Sequence, residues 1–111
     1  MKRTFLGEFE EQVLLTVAVL EGEAYGVALL HDLIAQTGRS LRLNQVHAAL
    51  QRLEDKGMLS SIMGEPTAER GGRRKRIFRI TAYGLKTLEE IQAVRDSLWN
   101  RFTNPKTDPS L

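Results

Sequence analysis

Apolar residues recur near the start of the chain on two helical faces. Phe9, Val13, Val17 and Leu20 follow one another at steps of three and four, while Leu6, Leu14, Leu15 and Ala18 fill a second side. The spacing predicts a helix over residues 5–20, and a helix apolar on two sides is either central to a core or shared with a partner. After the turn-forming run EGEAYG, a second helix is predicted over 26–36. Val27, Leu30 and Ile34 form its stripe, Leu29 and Leu33 lie beside it, and Gly38 is its stop. A third helix is predicted over 44–56, with Asn44 as N-cap and Val46, Ala49, Leu50 and Leu53 at i, i+3, i+4 and i+7. That narrow stripe leaves Gln45, His47, Ala48, Gln51, Arg52 and Asp55 facing away from it, and Gly57 ends the helix.

Period two then replaces the helical period. The segment MLSSIMGE (58–65) reads as a strand, PTAERGGRR as a loop, and KRIFRIT (75–81) as a second strand with Ile77 on one face and Arg76, Phe78 and Ile80 on the other. A final helix is predicted over 82–102, lined by Leu85, Leu88, Ile91, Leu98 and Phe102 with Trp99 beside them. The tail TNPKTDPSL has two prolines and little to bury, and is expected to be disordered.

The order of three helices, two strands and a helix defines the expected fold class. It is α+β but mostly α: a winged helix-turn-helix with a two-stranded wing and an added C-terminal helix. The expected organisation is a DNA-binding domain over 1–81, a dimerisation helix over 82–102 packed on it, and a tail from 103. In such an architecture the third helix enters the major groove while the hairpin tip grips the flanking backbone or minor groove.

Composition narrows the picture. The chain has 111 residues, 41% of them apolar, enough for one modest core. With no cysteine, disulfides and thiolate chemistry are excluded and a reducing compartment is the natural fit. Glu8, Glu10 and Glu11 interrupt any signal-peptide apolar run, and no stretch of about 18 apolar residues exists to span a membrane. A cytoplasmic protein without a membrane partner is therefore expected. The net charge is only +2, yet residues 70–86 hold seven Lys and Arg and no acid, which leaves nine cations against fourteen acids elsewhere. So segregated a field points to a polyanion.

Double-stranded DNA is the polyanion that suits the element order. Arg73, Arg74 and Arg76, with Arg70 and Lys75 in the same run, would neutralise phosphates or enter a narrow minor groove, and Gly71 and Gly72 allow close approach to the sugar-phosphate chain. The competing reading is a solvated hairpin whose glycines serve the turn. On the third helix, Gln45, His47, Gln51 and Arg52 carry groups able to read base edges, with Asn44 and Ala48 on the same surface. Arg39 and Arg42, just before the helix, suit phosphates, and Lys56 is a weaker candidate. Each could equally be an ordinary exposed residue, and Arg52 has Glu54 and Asp55 nearby as pairing alternatives.

Catalysis finds no support. His31 and His47 lie on separate predicted helices without a carboxylate at metal-ligand spacing, so no metal and no cofactor are expected. ERGGRRK lacks the spacing of a phosphate-binding loop, and the acid pairs Glu10–Glu11 and Glu89–Glu90 are adjacent and read as solvated. The last helix is longer than a small core needs. Leu88, Arg95 and Phe102 repeat every seven residues, and Leu85, Ile91, Leu98 and Trp99 widen that seam, as a homodimer interface would require. Packing on the first helix is the alternative.

The run YGVALLHDLIAQTGRSLRLNQVHAALQRLEDKGML, together with RRKRIFRITAYG, resembles the PadR family of bacterial transcriptional regulators. The likeness is carried by Leu50, Arg52, Leu53, Glu54 and Gly57 of an LxRLExxG core, and by Thr81 and Gly84 in ITAYG. The short C-terminal part is similar to the compact subgroup with one terminal helix. The resemblance implies a homodimeric DNA-binding regulator, usually a repressor, whose terminal helices build the dimer. Some relatives release DNA on binding small aromatic compounds near that interface, which would direct attention to Trp99. The chain departs from the family pattern where a Tyr-Pro pair is replaced by His47 and Ala48, and a preceding Gly-Thr by Asn44 and Gln45, so no operator sequence carries over. Two other functions stay open: a ligand sensor, and a protein-interaction module whose basic hairpin docks on an acidic protein.

Overall fold

A computed structural model describes residues 6–64 and 74–104. Helices α1 (Glu8–Val19), α2 (Gly26–Thr37) and α3 (Leu43–Asp55) precede an antiparallel hairpin of β1 (Leu59–Met63) and β2 (Arg76–Ile80), and α4 (Ala82–Thr103) closes the order. The fold is the winged helix-turn-helix with one added helix, mostly helical, as the periodicity predicts.

The stripes of α1, α2 and α3 converge on one core. Val13, Leu14 and Val17 of α1 meet Leu29 and Leu33 of α2 and Val46, Ala49, Leu50 and Leu53 of α3, all at most 1% exposed. Gly38 and Gly57 sit at positive φ, 70° and 78°, just past α2 and α3, where a side chain would be strained. The third helix starts one residue earlier than predicted, and Asn44 is not its N-cap. Arg42 holds that position, because the Gln45 side chain reaches back and its Oε1 accepts the Arg42 N–H at 2.8 Å.

The hairpin pairs Leu59 with Ile80, Ser61 with Phe78 and Met63 with Arg76 on one face, and Ser60 with Arg79 and Ile62 with Ile77 on the other. Phe78 points into the core, and its N–H donates to the Ala24 carbonyl at 2.8 Å, tying the wing to the α1–α2 turn. The first strand is shorter than predicted because Met58 belongs to the core and the turn: its side chain is fully buried and its carbonyl accepts the Thr81 N–H at 3.0 Å.

Thr81 and Gly84 fix the start of α4. The Thr81 hydroxyl caps the helix by accepting the Gly84 N–H at 3.0 Å and donates to the Gly57 carbonyl at 2.7 Å. Gly84 lies against the Met58 carbonyl so closely that a Cβ would collide with it and with Ile80. Past Ile91 every residue from Gln92 to Asn104 is exposed. Among the described residues, no helix is long and apolar enough to cross a membrane.

Candidate nucleic-acid interface

Helix α3 presents one exposed surface opposite its buried stripe. Asn44, Gln45, His47, Ala48, Gln51 and Arg52 all lie on it. Their side chains are not equally at liberty. Gln45 commits its carbonyl oxygen to the helix cap, and Gln51 Nε2 donates to Asp55 Oδ1 at 2.9 Å. Arg52 pairs with neither of its sequence neighbours. Its Nε donates at 2.6 Å to Glu10 of α1, forty-two positions away. Asn44, His47 and Ala48, in the N-terminal half, project with no hydrogen bond to the rest of the described chain, and base-edge contacts of a recognition helix come from that end.

The His47 ring lies over the start of α2, so close that a Cβ on Gly26 would come within 2.7 Å of His47 Cε1. Tyr25 is the extended N-cap of α2, and the first turn contains no acid. The opening N–H groups of α2 therefore keep their partial positive charge, suited to an anion such as a phosphate. Lys75, at the base of the wing, places its ammonium 4.1 Å above the Tyr25 ring. Tyr25, Gly26 and Lys75 thus join α3 to the wing. Nothing in the spacing singled out the first two; an α2 start with neither a capping side chain nor an acid was the available signal.

The remaining cations divide by their partners. Arg42 and Arg74 are exposed and have no carboxylate partner among the described residues. Arg39 stands 4.0 Å from Glu8 with its guanidinium 5.4 Å from the Phe9 ring centre, a loose surface contact. Arg76 is engaged: its Nε donates to Ser61 Oγ at 2.9 Å, Ser61 Oγ donates to Glu54 Oε2 at 2.7 Å, and the guanidinium is 3.7 Å from Glu54. Arg70, Gly71, Gly72 and Arg73 lie outside the described residues.

Glu10 is the buried acid behind this surface. One carboxylate oxygen accepts from Arg52 and the other from Lys56 Nζ at 2.8 Å. Burial pushes its carboxyl up, but the bonds and charges of Lys56 and Arg52 outweigh that and hold it below the ordinary carboxylate value. On α4, Leu88 packs against the core, Ile91 is half-buried and Arg95 donates to Glu11 at 3.1 Å, whereas Leu85, Leu98, Trp99 and Phe102 are exposed, Phe102 by 75%. The Trp99 and Phe102 rings pack on each other, centres 5.6 Å apart. Among the described residues no group of three His, Asp or Glu could hold a metal ion.

Three helices, a hairpin on the third, and an exposed polar face beside basic residues define a winged-helix transcriptional regulator. The chain belongs to the transcriptional regulator PadR-like family, whose sequence profile matches residues 14–90. Among solved structures it is similar to a PadR family regulator from Eggerthella lenta, 27% identical with a TM-score of 0.63, covering 86% of this chain and 80% of that one. A PadR-like transcription factor from Bacteroides fragilis is 21% identical with a TM-score of 0.70, covering 89% of each chain. A PadR-like regulator from Bacillus cereus is 18% identical with a TM-score of 0.69, covering 90% and 92%. No curated protein matched the sequence.

Proposed function

We infer that this protein is a sequence-specific, homodimeric repressor of transcription that acts in the cytoplasm and catalyses no reaction. The observation that carries the DNA-reading part is the junction of His47, Gly26, Tyr25 and Lys75, where the outward face of α3, an acid-free helix start and the wing base meet. In this reading Asn44, His47, Ala48 and Gln51 face the major groove. Arg42, Arg74, Lys75 and the α2 N-terminus take phosphates, with Arg39 at the margin, and the wing over 65–76 reaches the flanking backbone or minor groove. Arg52 and Arg76 are held by acids and serve the frame.

The dimer reading is supported by the free half of α4, where Leu98, Trp99 and Phe102 leave an apolar strip in water, and by Leu15 and Val19, exposed on α1. Two copies joined there would present two recognition helices to two half-sites. The exposed Trp99–Phe102 pair also favours a second reading, a small aromatic effector bound beside that interface.

The test is fluorescence anisotropy against a duplex from upstream of the protein's own gene and a scrambled duplex of equal length, each across a range of salt. A sequence-specific regulator binds the first at least about tenfold more tightly, with affinity falling steeply as salt rises. Equal binding to both leaves a non-specific DNA binder. No binding at low salt removes DNA as the ligand and directs the basic wing to an acidic protein.

A further inference from the structure

The C-terminal end of α3 carries two cations one turn apart, Arg52 in its last turn and Lys56 as its C-cap. Both turn back onto α1. Glu10 receives them with one oxygen each, at 2.6 and 2.8 Å, and its own side chain is only 10% exposed while that of Arg52 is 52% exposed. A buried carboxylate thus fixes two side chains that reach it from the surface.

Cations at the C-terminal end of a DNA-facing helix, away from its base-reading N-terminal residues, act mainly on phosphates. They release counterions whatever the base sequence, and so raise affinity for random DNA as much as for an operator. The biologically useful quantity is the ratio between the two. We propose that Glu10 is a positioning residue for DNA reading: by clasping Arg52 and Lys56 against α1, it withdraws both from the phosphate backbone and keeps binding to random DNA weak. The proposal rests on the DNA-binding reading above. It also gives a reason for a charged residue on the buried stripe of α1, where an apolar one would pack.

Glu10→Gln keeps the shape and removes the charge that binds the two cations. In anisotropy titrations of the full-length protein with a random 20-base-pair duplex, the variant is expected to bind about tenfold more tightly at low salt. Its plot of log affinity against log salt should steepen by about 1–2, close to one for each cation released. Glu10→Gln combined with Arg52→Gln and Lys56→Gln should return the slope to the wild-type value. In the wild-type background, Arg52→Gln with Lys56→Gln should leave the slope unchanged. This second comparison decides the matter alone if Glu10→Gln does not fold. An unchanged slope in a folded Glu10→Gln protein overturns the proposal, as does a slope flattened by about 1–2 in the double variant. If the wild-type protein binds no duplex at low salt, the DNA reading itself has failed, and the proposal falls with it.

Discussion

The ring of His47 rests on the bare backbone of Gly26, so α3 and the N-terminus of α2 meet there with no Gly26 side chain between them. A methyl group there would clash only with the tip of an exposed ring, which is free to swing aside, and would meet Leu43 Cδ1 at an ordinary contact distance of 3.4 Å. Gly26→Ala is therefore expected to keep its thermal stability within about 1 kcal/mol, since alanine suits a helix start better than glycine. Binding to the operator should fall several-fold because His47 is displaced, while binding to a random duplex changes little. Loss of stability without loss of discrimination would mean that His47 packs and does not read.

Gly84 is a different kind of close approach. The atoms facing it are the backbone carbonyl of Met58 and the Ile80 side chain, and a carbonyl fixed by the Thr81 N–H does not yield. Gly84→Ala should cost about 3 kcal/mol, the upper end for overpacking, measured by urea unfolding. Thr81→Ala should cost about 1 kcal/mol or somewhat more, because it removes a helix cap and leaves the Gly57 carbonyl without its donor. Thr81→Ser should recover most of that.

These two positions mark what could be read before the structure. The order of elements was legible because α2 and α3 each stop at a glycine, Gly38 and Gly57, and the helical period gives way to period two just after Gly57. Glu10 was legible in part: it stands three residues before Val13 and seven before Val17, on the stripe that becomes the core. Its adjacency to Glu11 argued instead for solvent, and its partners are 42 and 46 positions away, beyond any local pattern. Arg76 shows the same limit. Alternation sorted the faces of the hairpin, but the acid that holds Arg76 belongs to α3. Asn44 misled because it is a good capping residue, whereas the cap is set by Gln45 reaching back from inside the helix.

The Glu10 clasp has a signature in pH. Its carboxyl is held below its ordinary value in the folded protein, so the folded state binds fewer protons there than the unfolded chain. The stabilisation is complete above the unfolded value of about 4.3 and is lost as pH falls through the folded value. At pH 7 the Glu10→Gln protein should be about 1–2 kcal/mol less stable than wild type, between the ranges for exposed and buried pairs. The gap should narrow below pH 4 as the wild-type carboxylate protonates. A gap that stays constant from pH 7 to pH 3 would show that the charge of Glu10 contributes nothing.

The outer half of α4 supplies the last prediction. Leu98 and Trp99 are 57% and 64% exposed, and Phe102 more so, on a stretch that no other described part of the chain covers. Apolar surface of this kind gains roughly 25 cal/mol for each Å² removed from water, so in the proposed dimer this strip is where a buried charge would weaken pairing most. Leu98→Asp would place a carboxylate in the middle of the strip while touching nothing in the monomer's own core. Sedimentation should find the wild type as a dimer at micromolar concentration and the variant as a monomer with unchanged helical circular dichroism. The variant should also lose most of its affinity for a two-half-site duplex and little for a single half-site. A wild-type protein that sediments as a monomer at every concentration would assign the strip to another partner, and the spacing of two half-sites would no longer be set by α4.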